Sequence, residues 1–126
     1  MSKRIIHTTD APAPIGPYSQ AVEANGMVYI SGQIALDPVD GGLLTGDVQT
    51  ETHRVMKNLK AILEAAEMDF GHVVKTTIFL KDMSLFGEVN EVYGSYLAGD
   101  PPARETVAVK GLPKDVNVEI SVIAAR

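Results

Sequence analysis

Between Val48 and Ala66, apolar or small residues recur at alternating spacings of four and three: Val48, Thr52, Val55, Leu59, Ile62 and Ala66. Lys57, Lys60 and Glu64 fall on the opposite side. This stripe predicts one amphipathic helix, running from an Asp47 N-cap to about Met68. A helix apolar on one side only must be covered by another element. The chain supplies strands for that purpose. Val73 to Lys81 (Val-Val-Lys-Thr-Thr-Ile-Phe-Leu-Lys) is too β-branched for a helix and reads as a strand. In 117–125 the even positions Val118, Ile120, Val122 and Ala124 form an unbroken apolar set, the period of a strand with one buried face.

The remaining segments fill in an α+β sandwich. Residues 4–8 read as a short edge strand. Ala11 to Pro17 holds three prolines and must be irregular. Asn25-Gly26 separates two strand segments, 20–24 and 27–31, and predicts a hairpin turn with both central residues at positive φ. Asp37 to Gly42 reads as a loop. Ser84 is the candidate N-cap of a second helix whose face holds Leu85, Val89, Val92 or Tyr93, and Tyr96; Gly99-Asp100-Pro101-Pro102 ends it. Strands over 104–110 and 117–125, joined by 111–115, complete the order. The expectation is a single domain over 1–126: one mostly antiparallel sheet with both helices on one face.

Composition narrows the function. Of 126 residues, 16 are acidic and 11 basic, a formal charge of -5. That balance argues against a general nucleic-acid or anionic-membrane surface, which needs an excess of cations. The chain has no cysteine, so disulfides, thiolate nucleophiles and thiolate metal sites are excluded. No run of 18 apolar residues and no apolar signal core occurs, which leads us to expect a cytoplasmic protein. Glycine-rich nucleotide loops, G-x-S-x-G and H-E-x-x-H are missing, and His7, His53 and His72 are scattered, so no metal site is expected. Glu51, Lys57 and Lys60 read as a solvated helix face. Tyr29 and Phe79 read as core or interface.

The last two strands hold the chemistry. A regular hairpin about Pro113 would set Ala108 opposite Glu119 and Thr106 opposite Ser121. Arg104, Thr106, Glu119 and Ser121 would then share one face, with Val107 and Val109 on the helix side. Arg104 and Glu119 would stand about 13 Å apart along the strands at ~3.4 Å per residue. That leaves room for a small anion on Arg104 and a water on Glu119. The same spacing also fits an arginine solvating a strand end and a glutamate on an exposed sheet. Ile123, Ala108 and Ala125 make this face too apolar for free solvation, so we expect partner subunits to bury it.

These residues resemble a known family. Pro102-Ala103-Arg104, Val107, Lys110, Leu112 and Val118-Glu119-Ile120 are similar to the C-terminal signature of the RidA (YjgF) proteins, reactive intermediate deaminases also described as endoribonuclease L-PSP or translation inhibitors. Ala13 to Gln20, Ile30-Ser31-Gly32-Gln33-Ile34, Val74 to Thr77, Phe86, Val89-Asn90 and Leu112 to Asp115 agree as well. The resemblance implies a homotrimer of chorismate-mutase-like protomers with ligand clefts between subunits. It implies hydrolysis of 2-aminoacrylate and 2-iminobutanoate, which pyridoxal-phosphate dehydratases release, to 2-keto acids and ammonia, with no cofactor or metal. Arg104 would hold the substrate carboxylate through its fork. Glu119 would hold and polarise water or shuttle its proton. The backbone at Thr106 would bind the imine nitrogen or that water, and Tyr18, Ser31, Gly32, Phe86 and Asn90 would line the cleft. The chain departs from common members at Glu105, which alternation places on the helix side, and at Thr106, where many carry cysteine. A carboxylate-binding regulatory trimer without catalysis would use the same Arg104. An endoribonuclease is disfavoured by the charge and by the lack of a histidine pair.

Overall fold

The computed structural model describes residues 2–126. Six strands form one sheet: β1 (Arg4–Ile6), β2 (Ala21–Ala24), β3 (Met27–Gln33), β4 (Val73–Leu80), β5 (Ala103–Ala108) and β6 (Val118–Ala125). Their spatial order is β1-β2-β3-β6-β4-β5, and every neighbouring pair is antiparallel except β4 and β5. Helices α1 (Val48–Ala65) and α2 (Phe86–Ser95) cover one face. The Asn25-Gly26 turn has φ of 53° and 75°, the double left-handed conformation that its sequence predicts.

Helix α1 begins where expected, with the Asp47 carboxylate accepting from the Gln49 amide at 3.0 Å. It stops at Ala65, short of Met68, because Glu67 turns left-handed at φ 60°. All six stripe residues are buried and Lys57, Lys60 and Glu64 are exposed. The stripe packs on the even residues of β6, which are buried in turn. Truncating one of these side chains, such as Leu59→Ala, would cost about 2–5 kcal/mol. Ser84 does not cap α2. Asp82 caps the short turn before it, accepting from the Ser84 amide at 2.8 Å, and α2 starts at Phe86. Glu51 leaves the solvated face assigned to it and is wholly buried.

The larger correction concerns β5. It is not the hairpin partner of β6: α2 carries the chain back so that β5 lies parallel to β4 at the sheet edge. Residues 109–117 then pass over the end of β4, and β6 enters on its other side. Paired residues in a sheet point the same way, and neighbours along a strand alternate. Arg104, Thr106 and Ala108 pair with Thr76, Ile78 and Leu80, whose side chains are buried under the helices. Glu119 and Ser121 pair with Phe79 and Thr77, on the uncovered face. Arg104 and Glu119 therefore do not share a face, and Val107 and Glu105 lie on the open side rather than under the helices. Glu105 pairs there with Lys75 at 3.3 Å.

Candidate functional site

Two concavities hold Tyr18, Gly32 and Glu119 in one and Asn90 and Arg104 in the other. The first, about 330 Å³, is walled by Tyr18, Gly32, Glu119, Pro113, Lys114 and Ile15, among others. Its construction begins with a β-bulge. Ile30 pairs with Val122 and Gln33 with Ile120, so three steps on β3 match two on β6. Ser31 and Gly32 occupy the surplus, and such bulges re-aim the backbone beside sites. Gly32 consequently presses against Glu119. A Cβ on Gly32 would lie 2.6 Å from Glu119 Oε2 and 2.9 Å from its carboxyl carbon, so no larger residue fits the present arrangement.

Glu119 makes no hydrogen bond through its side chain among the described residues, and it is half-buried. Burial without an opposing cation raises its carboxyl pKa above the usual carboxylate range. A carboxyl so placed can exchange protons closer to neutrality than a solvated one.

The rest of the cavity wall is held by polar side chains that sequence reasoning missed. Gln20 is buried; its Oε1 accepts from the Thr8 amide at 2.8 Å, and its Nε2 donates to the carbonyls of Thr8, Ala11 and Pro12. It thereby satisfies the irregular proline segment, whose carbonyls have no ladder to join. Asn58 on α1 does the same for the chain after β3, donating to the carbonyls of Ile34 and Leu36. The signal for Gln20 was available: an amide side chain follows directly on a stretch that cannot pair its own backbone. Ser31 is not part of the cavity wall. Its hydroxyl donates to the Ser19 carbonyl at 2.6 Å, so it ties the Tyr18 segment to the bulge. Tyr18 is half-exposed and accepts from the Ile15 amide through its hydroxyl.

The second concavity, about 440 Å³, is bounded by Asn90, Tyr93, Leu97, Pro102 and Arg104. The guanidinium of Arg104 lies 5.5 Å from the ring centre of Phe86 and 5.4 Å from that of Tyr93, and it donates to Asn90 Oδ1. Tyr93 is fixed in turn by donating to Thr76 Oγ1 at 2.9 Å. Among the described residues no carboxylate pairs with Arg104. One of its five N–H donors is occupied among the described residues, which leaves others free for an anion. Thr106, next on the same face, has a buried hydroxyl with no hydrogen-bond partner among the described residues. Phe86, Asn90, Arg104 and Thr106 thus gather at one site, while Tyr18, Gly32 and Glu119 gather at the other, across the sheet. No cluster of three or more metal-ligating side chains occurs among the described residues. No helix of the described residues is long and apolar enough to cross a membrane.

Comparison with known proteins places this geometry in a context. The family model described as endoribonuclease L-PSP matches residues 8–126. Protein DfrA of Myxococcus xanthus is 53% identical over 126 residues, covering 98% of this chain and 96% of its own. A Mus musculus protein named 2-iminobutanoate/2-iminopropanoate deaminase is 51% identical over 124 residues, with 98% and 92% covered. A solved Yersinia pestis protein of the Rid family superimposes with a TM-score of 0.96 at 44% identity, with 99% of this chain and 100% of that one covered.

Proposed function

This chain belongs to the endoribonuclease L-PSP (Rid) family, and from that premise we propose that it hydrolyses small 2-imino acids to 2-keto acids and ammonia. The observation that carries the reading is the pair of half-sites. One offers a ring-flanked guanidinium with no carboxylate partner and the other a carboxyl of raised pKa with no hydrogen-bond partner among the described residues, on opposite faces of one protomer. A second copy would bring them together, with Arg104 at the β5 edge of one protomer meeting the Glu119 cavity of the next. The open face also carries half-exposed Ile5, Tyr29 and Val107, which a closed ring of three copies would cover.

In the assembled cleft Arg104 takes the carboxylate of the imino acid in a bidentate grip. Glu119 orients a water toward C2 of the C=N bond and accepts a proton from it as the C–O bond forms. That proton passes to nitrogen, and the carbinolamine expels ammonia as Glu119 takes the hydroxyl proton and the hydroxyl becomes the keto oxygen. Water in, ammonia out, with no change of oxidation state. The imine carbon is electrophilic once its nitrogen is protonated. Enzymes that dehydrate serine or threonine are the sources of such substrates. The test is direct: add the protein to a dehydratase generating 2-iminobutanoate and follow ammonia and 2-oxobutanoate. Faster release than from dehydratase alone supports the reading. Binding of 2-oxobutanoate without any acceleration would leave a carboxylate-binding regulator instead.

A further inference from the structure

Glu51 is a carboxylate with no solvent exposure, on the first turn of α1, more than 60 residues in sequence from Glu119. Burying a carboxylate is costly unless its oxygens are satisfied, and an apolar residue of similar size would pack the same space more cheaply. Both oxygens of Glu51 go to one residue. Oε2 accepts from the Asn117 amide and Oε1 from the Asn117 side-chain Nδ2, each at 2.8 Å. The Asn117 carbonyl accepts from the Lys81 amide at 2.9 Å, just past the end of β4. Asn117 is thus gripped from the helix layer and from the neighbouring strand, immediately before β6 begins.

The location of that grip is informative. The preceding turn sets two consecutive non-glycine residues left-handed, Lys114 at φ 53° and Asp115 at φ 57°. Such conformations persist only where surrounding structure holds them. Two residues after Asn117 comes Glu119, whose carboxyl has no hydrogen bond of its own among the described residues and lies against Gly32. Its position therefore depends on where the β6 backbone runs. We infer that Glu51 is a positioning residue for the reaction, fixing the start of β6 through Asn117 so that Glu119 stands in the cavity against the Gly32 bulge. The inference rests on the reading above for Glu119's role in turnover, but the positioning itself can be read without it.

Three variants test it. Glu51→Leu removes both acceptors. Glu51→Gln keeps one oxygen for the Asn117 amide, and its NH₂ can donate to Asn117 Oδ1 after a flip of that amide, so the grip survives. Asn117→Ala removes the side-chain arm and decides the same comparison if Glu51→Leu does not fold. We expect Glu51→Leu to lower kcat by about 10- to 100-fold. Its dissociation constant for 2-oxobutanoate, which is anchored by Arg104, should stay within about twofold. Glu51→Gln should recover most of the rate. The amide resonance of Gly32, read by ¹H–¹⁵N NMR, should move in Glu51→Leu and return toward its wild-type place in Glu51→Gln. A merely structural Glu51 predicts a lower Tm with kcat and the Gly32 resonance unmoved, and that result would overturn the inference. Should the unmodified protein show no deaminase activity, the enzymatic reading falls, and the Gly32 resonance alone decides the positioning.

Discussion

Gly32→Ala is the smallest change that addresses the Glu119 half-site without touching a polar group. The new methyl would meet Glu119 Oε2 at 2.6 Å and the carboxyl carbon at 2.9 Å. Carbon atoms in contact sit at roughly 3.5–4.0 Å, so the overlap is about 0.6–1.1 Å. The least-held group will give way. Gly32 lies in the bulge tied by the hydrogen bond from Ser31 to Ser19, whereas no bond restrains the Glu119 carboxyl among the described residues. Swinging that side chain aside costs about 0.5–1.5 kcal/mol if it leaves its rotamer, a loss of a few degrees in Tm. Displacing a catalytic carboxyl by about 1 Å can cost on the order of 10²-fold in rate. The expected signature is a kcat reduced about 10²-fold, a Tm only a few degrees lower, and an almost unchanged dissociation constant for 2-oxobutanoate. Stopped-flow or coupled assays of 2-iminobutanoate hydrolysis, calorimetry and titration measure the three quantities. A Gly32→Ala protein with wild-type kcat would refute the placement of Glu119 as the water-handling group.

Other consequences follow from the same geometry. Glu119→Gln should retain keto-acid affinity and lose about 10²–10⁴ in rate; because burial raises the Glu119 pKa, the acid limb of the wild-type kcat/KM profile should lie above pH 4.5 and vanish in this variant. Arg104→Lys should lose both binding and turnover in titration and assay, since an ammonium lacks the fork and does not fit between Phe86 and Tyr93 in the same way. The carboxyl of Glu23 is held at about 2, against an ordinary 4.5, by hydrogen bonds from Arg126 and Arg4. A depressed pKa gives stability that is present above the ordinary value and lost as pH falls toward 2, so Glu23→Gln should flatten the pH dependence of Tm between about pH 5 and 2. At physiological salt, filter binding should detect no specific affinity for RNA, given the acidic balance of the chain; tight, salt-sensitive binding by highly purified protein would reverse that reading.

The sequence was most legible where periodicity is long. The α1 stripe and the even residues of β6 encode their burial directly, because each repeats a single spacing over many residues, and the Asn25-Gly26 turn encodes its backbone. It was least legible where pairing is nonlocal. Strands 103–108 and 118–125 are adjacent in the chain and look like a hairpin, yet β4 lies between them, and nothing in their own residues declares that insertion. The error reversed the faces of Arg104 and Glu105 while leaving β6 correct. Glu51 shows a different limit. A carboxylate on the first turn of a helix ordinarily faces water and favours the helix dipole, and only the distant Asn117 explains why this one is buried. Tyr93 could be read as core from its spacing, but its contact with Arg104 depends on where β5 returns.

The central claim is that each working site takes Arg104 from one copy and Glu119 from another, and subunit mixing tests it most directly. Arg104→Ala and Glu119→Gln are each expected to be inactive alone. Mixed in equal amounts, dissociated and reassociated at random, they should regain activity, because about one quarter of interfaces would join an intact Arg104 to an intact Glu119. Recovery near that fraction of wild-type turnover is the predicted result. A mixture that remains as inactive as its parents, although mass spectrometry shows mixed oligomers, would contradict the claim.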